Sequence, residues 1–163
     1  MKSLLPLLCI LSALHCAPAL PQEEETTSDQ EEETTSDQEE ETTSDVIKAL
    51  AVKAEAGDAE AQVMLGIRYA DGEGVSMDDK EAVKWFHKAA DQGLAEAQNI
   101  LGGCYYRGAG VEQDFAEAVK WFRKAADQEL AQAQDWMGNC YDEGSGVEQD
   151  YAEAAAWYRK AAD

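Results

Sequence analysis

From residue 46 onward the apolar positions fall three and four apart in blocks of about a dozen residues, and glycine-rich breaks separate the blocks. That spacing lays one apolar stripe along a helix and leaves the opposite face polar. In one block Ala61, Leu65, Arg68 or Tyr69, and Gly72 keep the helical register, which predicts an amphipathic helix from about Ala59 to Asp71. Gly72-Glu73-Gly74-Val75 ends it, because two glycines supply backbone conformations that residues with a β-carbon avoid and so allow a sharp reversal. The next block opens on Asp78, three residues before Glu81, an acidic form of the capping box. It continues with Ala82, Trp85, Phe86 and Ala89 as its buried stripe, the alanines permitting close helix approach and the tryptophan supplying apolar area. Together the two blocks make a helical hairpin.

A shift of 36 residues lays this hairpin on two further copies. Gly66, Gly102 and Gly138 align, as do Tyr69, Tyr105 and Tyr141, Asp78, Asp114 and Asp150, and Trp85, Trp121 and Trp157. Self-similarity at such a period is the mark of a solenoid. The expected fold is therefore all-α: a right-handed α-solenoid of helix-turn-helix repeats covering residues 58–93, 94–129 and 130–163. Residues 46–57 read as an N-terminal half-repeat, since Ala54-Glu55-Ala56-Gly57 matches Ala90-Asp91-Gln92-Gly93, with Ser44 or Asp45 as its cap. Three units and a half meet the minimum of about three that a solenoid needs.

The pattern Ala-Glu-Ala-Gln-x-x-Leu-Gly-x-x-Tyr-x-x-Gly-x-Gly-Val over residues 59–75, then Asp-x-x-Glu-Ala-x-x-Trp-Phe-x-Lys-Ala-Ala over 78–90, resembles the Sel-one-like repeat family, relatives of the tetratricopeptide repeats. The resemblance implies an adaptor or scaffold that binds a partner in a concave groove lined by the first helices, and it brings no catalytic motif. The hairpin disulfide of cysteine-rich family members is missing. Three departures stand out. Met137 replaces the leucine of positions 65 and 101, and Glu129 stands where Gly93 ends the previous unit, which predicts a less relaxed or slightly reshaped turn. The last helix reads Ala154-Ala155-Ala156-Trp157, leaving a small apolar end face that either stacks on another molecule or marks a sequence cut short.

Charge divides the rest of the chain. The sequence holds 34 Asp and Glu against 13 Lys and Arg, a net charge of −21, which argues against nucleic acid because phosphate neutralisation needs gathered cations. Residues 22–45 carry 12 of the acids and no base, as three identical copies of Gln-Glu-Glu-Glu-Thr-Thr-Ser-Asp. With no apolar side chain to oppose ordering entropy, residues 20–45 read as a disordered acidic linker. Its root-mean-square reach is about 27 Å as a flexible coil, and more when the charges repel. Cation association, O-glycosylation or capture of a basic partner are the functional readings; a solubilising tether is the plain one. Ahead of it, Lys2, an apolar run over residues 4–14 and Ala17-Pro18-Ala19 match a signal peptide over 1–19, too short to span about 30 Å of hydrocarbon. Export to a periplasm, a secretory lumen or the exterior follows, with no membrane span.

Candidate chemistry is sparse. His87 occupies the place of Arg123 and Arg159 and reads as a surface residue without a nucleophile beside it. Cys104 and Cys140, one period apart on neighbouring first helices, read as buried thiols: helix axes about 8 to 10 Å apart exceed the roughly 7 Å limit between disulfide α-carbons. No metal or cofactor site is expected. The first helices vary at the positions the family resemblance places on the groove wall. These are Met64 and Ile67 in the first copy, Asn99, Ile100, Tyr106 and Arg107 in the second, and Asp135, Trp136, Asn139 and Asp142 in the third. Met64, Ile100 and Trp136 form an apolar ladder that either anchors a peptide or completes the packing between helices. The reading is an exported scaffold holding a protein or peptide segment in this groove. The alternatives are a hydrolase using Asp135, Asp142 and Glu143, and end-to-end self-association through the last helix.

Overall fold

The computed structural model describes residues 43–162. The signal-peptide reading and nearly all of the acidic linker lie outside them. Seven helices and no strand occur among the described residues: α1 (Thr43–Glu55), α2 (Ala59–Asp71), α3 (Asp79–Asp91), α4 (Ala95–Arg107), α5 (Phe115–Ala126), α6 (Ala131–Glu143) and α7 (Tyr151–Ala162). The helix expected over Ala59–Asp71 is found with those bounds. The first helix starts before its expected position. Thr43, Ser44 and Asp45, the end of the third octapeptide, form its opening turn, where Asp45 meets the positive helix end and bonds Lys48 at 3.1 Å.

Each hairpin packs internally, as α2 on α3, α4 on α5 and α6 on α7, and each second helix packs on the next first helix. The half-repeat α1 lies against α2, where Ala54, Ala61, Leu65 and Trp85 form one apolar cluster. A second cluster joins Ala89, Ala97 and Leu101 to Trp121, and a third joins Ala125, Ala133 and Met137 to Trp157. Thus every framework tryptophan reaches back into the preceding unit. Its ring is covered on the outside by a lysine: Lys88, Lys124 and Lys160 stand 3.5, 3.7 and 3.8 Å from the ring centroids of Trp85, Trp121 and Trp157.

The capping aspartates act as expected in one direction only. Asp78 and Asp114 accept from the backbone N–H of Glu81 and Glu117 at 3.0 and 2.9 Å. The reciprocal half of the capping box is absent, because the aspartate N–H groups already donate to the carbonyls of Tyr69 and Tyr105 at 2.8 and 3.0 Å. Those bonds tie the end of each first helix to the start of its partner. Glu81 and Glu117 turn outward to Lys84 and Lys120 instead.

Buried glutamines, which the hydrophobic pattern does not flag, stitch the units together. Gln62, Gln98 and Gln134 donate to the carbonyls of Ala54, Ala90 and Ala126 at 2.9, 3.2 and 3.3 Å. Gln92 and Gln128 donate in turn to the side-chain carbonyls of Gln62 and Gln98, both at 2.8 Å. Burial of such amides is tolerable only with partners like these. At the connecting turns, Gly57 and Gly93 have φ of +97° and +92°, and Glu129 takes up the same left-handed region with φ of +64°. The turn is therefore kept at the third copy, and the strain falls on a residue with a β-carbon.

Candidate partner-binding face

Helices α2, α4 and α6 lie side by side along the stack, and side chains one helix apart meet across them. Asn99 of α4 donates to Gln132 of α6 at 2.9 Å, and the Tyr106 hydroxyl donates to Glu143 at 2.5 Å. The face is acidic. Its three helices carry Glu60, Asp71, Glu96, Asp135, Asp142 and Glu143 against Arg68 and Arg107, and Arg68 is already paired with Glu73. Helices α3, α5 and α7 reverse the balance, with eight Lys and Arg against five acids.

Of the expected groove residues, Met64 and Ile67 are exposed at 54% and 39%, and Arg107, Asp135 and Asp142 are exposed as well. Ile100 is half-buried against the cluster around Trp121. Trp136 is not a free anchor: it stacks on Phe122 with 5.2 Å between ring centroids and 5° between planes. Asn99 is buried, so its amide serves the packing of α4 on α6 and is withdrawn from the surface. Asn139 is half-buried and accepts from the Tyr158 hydroxyl at 2.7 Å. The apolar ladder thus divides, with Met64 open to solvent and Trp136 committed to packing.

Two clefts open on this face beside Ile67. One, about 230 Å³, is walled by Ile67, Ala70, Val83, Phe86 and Ile100, with Cys104 within it and Asp71, Asp79 and Arg107 at its edge. The other, about 250 Å³, lies among Val63, Met64, Ile67 and Leu94, with Glu60 and Glu96 beside it. The same crevice one unit further along is filled. Tyr106 stands where Ala70 stands in the first unit, and its ring lies 5.0 Å from Phe115 and 5.3 Å from Trp136. The bond to Glu143 holds the Tyr106 phenol above its usual pKa, with burial adding to the shift.

Among the described residues both thiols are free and buried, Cys104 in the cluster of the first interface and Cys140 in that of the second. Burial raises the Cys104 pKa and raises that of Cys140 to about 11. His87 departs from its expected surface position. It is half-buried because its position on α3 faces the next hairpin, with Nε2 3.1 Å from the Tyr105 hydroxyl and its ring edge-on to Trp121. Glu143, one of the three carboxylates weighed for hydrolysis, is engaged by Tyr106 and by Ser145. Among the described residues no group of three or more His, Cys, Asp and Glu is placed to hold a metal, and no helix is long and apolar enough to cross a membrane.

The Sel1 repeat family model matches residues 59–94, 95–130 and 131–163. The chain belongs to the Sel1 repeat family. Sel1 repeats are typically non-enzymatic and generally mediate protein interactions. Among solved structures, this Sel1 repeat chain is similar to c5321, a protective antigen present in uropathogenic Escherichia coli strains. Identity is 46% and the TM-score 0.73, over 74% of this chain and 26% of that one. It therefore spans about a quarter of that antigen's length. A Sel1 repeat protein from Oxalobacter formigenes is 42% identical with a TM-score of 0.68, over 71% of this chain and 88% of its own. Helicobacter pylori cysteine rich protein B shares the fold at 16% identity, with a TM-score of 0.61 over 74% of this chain and 90% of its own. No curated protein matches.

Proposed function

We propose that the protein is an exported interaction scaffold that holds a segment of a partner protein along the face of α2, α4 and α6. One observation carries the reading: on that face Met64 and Ile67 present large apolar groups to solvent beside two unfilled clefts. The equivalent positions in the other units, Ile100 and Gly103, then Trp136 and Asn139, are buried or half-buried, and open apolar clefts bordered by charge are what binding sites look like. The apolar run and small-x-small motif of residues 1–19 support export, and the acidic octapeptides support a tether that keeps the solenoid clear of its surroundings.

A photo-crosslinking residue placed at position 64 tests the site, with the same residue at position 124 on α5 as control. A discrete adduct from position 64 alone, in cells expressing the full chain, is the expected result. Equal labelling from both positions would remove the face assignment. N-terminal sequencing of the exported protein should begin at Leu20, and an intact Met1 on the extracytoplasmic product would overturn the signal-peptide reading.

A further inference from the structure

We infer that the crevice between the first and second repeats is the receptor for one bulky apolar side chain, preferably aromatic, presented by a basic partner segment. This rests on the binding-face reading above and narrows it to a residue-sized pocket with a stated occupant.

The argument begins with what the molecule does one unit further on. There the crevice holds the Tyr106 ring, set against Phe115, Phe122 and Trp136 and anchored by its hydroxyl on Glu143. A shift back by 36 residues replaces Tyr106 with Ala70, Phe115 with Asp79 and Trp136 with Ile100, while Phe86 keeps the place of Phe122. The wall remains and the plug is gone. What is left is the cleft of about 230 Å³. That is below the roughly 300 Å³ at which small-molecule pockets begin, and it suits a single inserted side chain. The chain therefore displays its own example of the occupant in the neighbouring crevice.

Charge selects the flanking residues of the partner. Six acids face two bases on α2, α4 and α6, and of those bases Arg68 is taken by Glu73. Asp71 and Asp79 border the crevice itself, and Glu60 and Glu96 border the adjoining cleft. Lysine or arginine on either side of the inserted residue meets these carboxylates. Arg107 makes no ion pair with any described residue and stands at the crevice edge, at the place of Glu143, where it can donate to a backbone carbonyl of the inserted segment. An acidic segment is repelled by the face.

Titration calorimetry on the full mature chain tests the inference, with a short synthetic peptide holding one phenylalanine between pairs of lysines. Replacing that phenylalanine by alanine, or the lysines by glutamates, should each weaken binding at least tenfold. Ala70→Tyr should do the same from the protein side by supplying the plug, and Ala70→Leu provides a milder filling should the larger ring disturb the fold; circular dichroism reports folding for both. Cys104 gives an internal readout, since bound peptide should slow its alkylation. Unchanged affinity in folded Ala70→Tyr and Ala70→Leu overturns the crevice. If Met64→Asp then abolishes binding, the face reading survives without it, and if Met64→Asp is also silent, both fall. Absence of binding by the wild-type protein, or a preference for the glutamate peptide, overturns the stated partner chemistry.

Discussion

The two interfaces between full repeats share one framework and differ in how they finish it. Between the second and third units, Tyr106 folds into the crevice and the aromatic rings close over Phe122; between the first and second, Ala70 leaves the corresponding space open above Cys104. Repetition therefore settles the backbone and the buried positions, while a few variable side chains decide whether an interface is sealed or available. The sealed one contributes to stability. The open one exposes apolar surface that remains costly until something covers it.

The strongest way to break this contrast is to truncate the two equivalent ladder residues. Trp136→Ala removes a ring stacked within the sealed crevice and should cost about 3 kcal/mol, near the lower end for buried aromatics because the ring is only half-buried. Ile100→Ala, its counterpart at the open crevice, should cost about 1 to 2 kcal/mol because part of the side chain already faces the cleft. Urea unfolding of both variants measures the difference, and equal losses would show the interfaces to be finished alike.

Alkaline pH probes the sealed side through Cys140. Its folded pKa of about 11 lies above the usual thiol value, so the folded state holds its proton where the unfolded chain releases it. Stability is fully present below about pH 8.5, falls as pH rises toward 11, and loses up to about 3 kcal/mol over that window. Cys140→Ala should flatten this part of the stability profile, and an unchanged slope would place the titration elsewhere. Direct alkylation sharpens the same comparison: Cys104, which lines the open cleft, should react before Cys140, as peptide mapping after brief iodoacetamide treatment would show.

Smaller effects lie at the turns and rims. Glu129→Gly should stabilise by about 1 kcal/mol by relieving the left-handed backbone that Gly93 adopts freely at the equivalent turn. Tyr106→Phe keeps the plug and removes its bond to Glu143, so it should cost only about 0.5 kcal/mol while leaving the crevice closed to any added peptide.

The solenoid was legible because its determinants are local and recur: Asp78, Gly72 and Trp85 each announce a cap, a reversal or a buried stripe, and each returns twice. Glu129 signalled an altered turn but not its conformation, which the surrounding packing imposes. The missing reciprocal cap was not legible, since it depends on the Tyr69 carbonyl lying against Asp78 only after the hairpin closes. Within the candidate face, residue type singles out Met64 and Ile67 as apolar side chains on a first helix, both of them exposed. It could not show that Asn99 is withdrawn by Gln132, 33 residues away, or that Trp136 finds Phe122 behind it. The clearest available clue was the Ala70-to-Tyr106 change between copies, and its meaning needed the depth of the crevice.

The glutamine stitching has a genetic corollary. Gln98 gives its amide hydrogens to the Ala90 carbonyl of the preceding unit and accepts on its oxygen from Gln128 of its own, and because Gln62 repeats this with Ala54 and Gln92, any whole cassette of 36 residues spliced in register carries one connection with it and finds the other waiting. Duplication of an entire cassette should thus yield a longer folded molecule, whereas an in-frame insertion of half that size would leave amides stranded in an apolar interior.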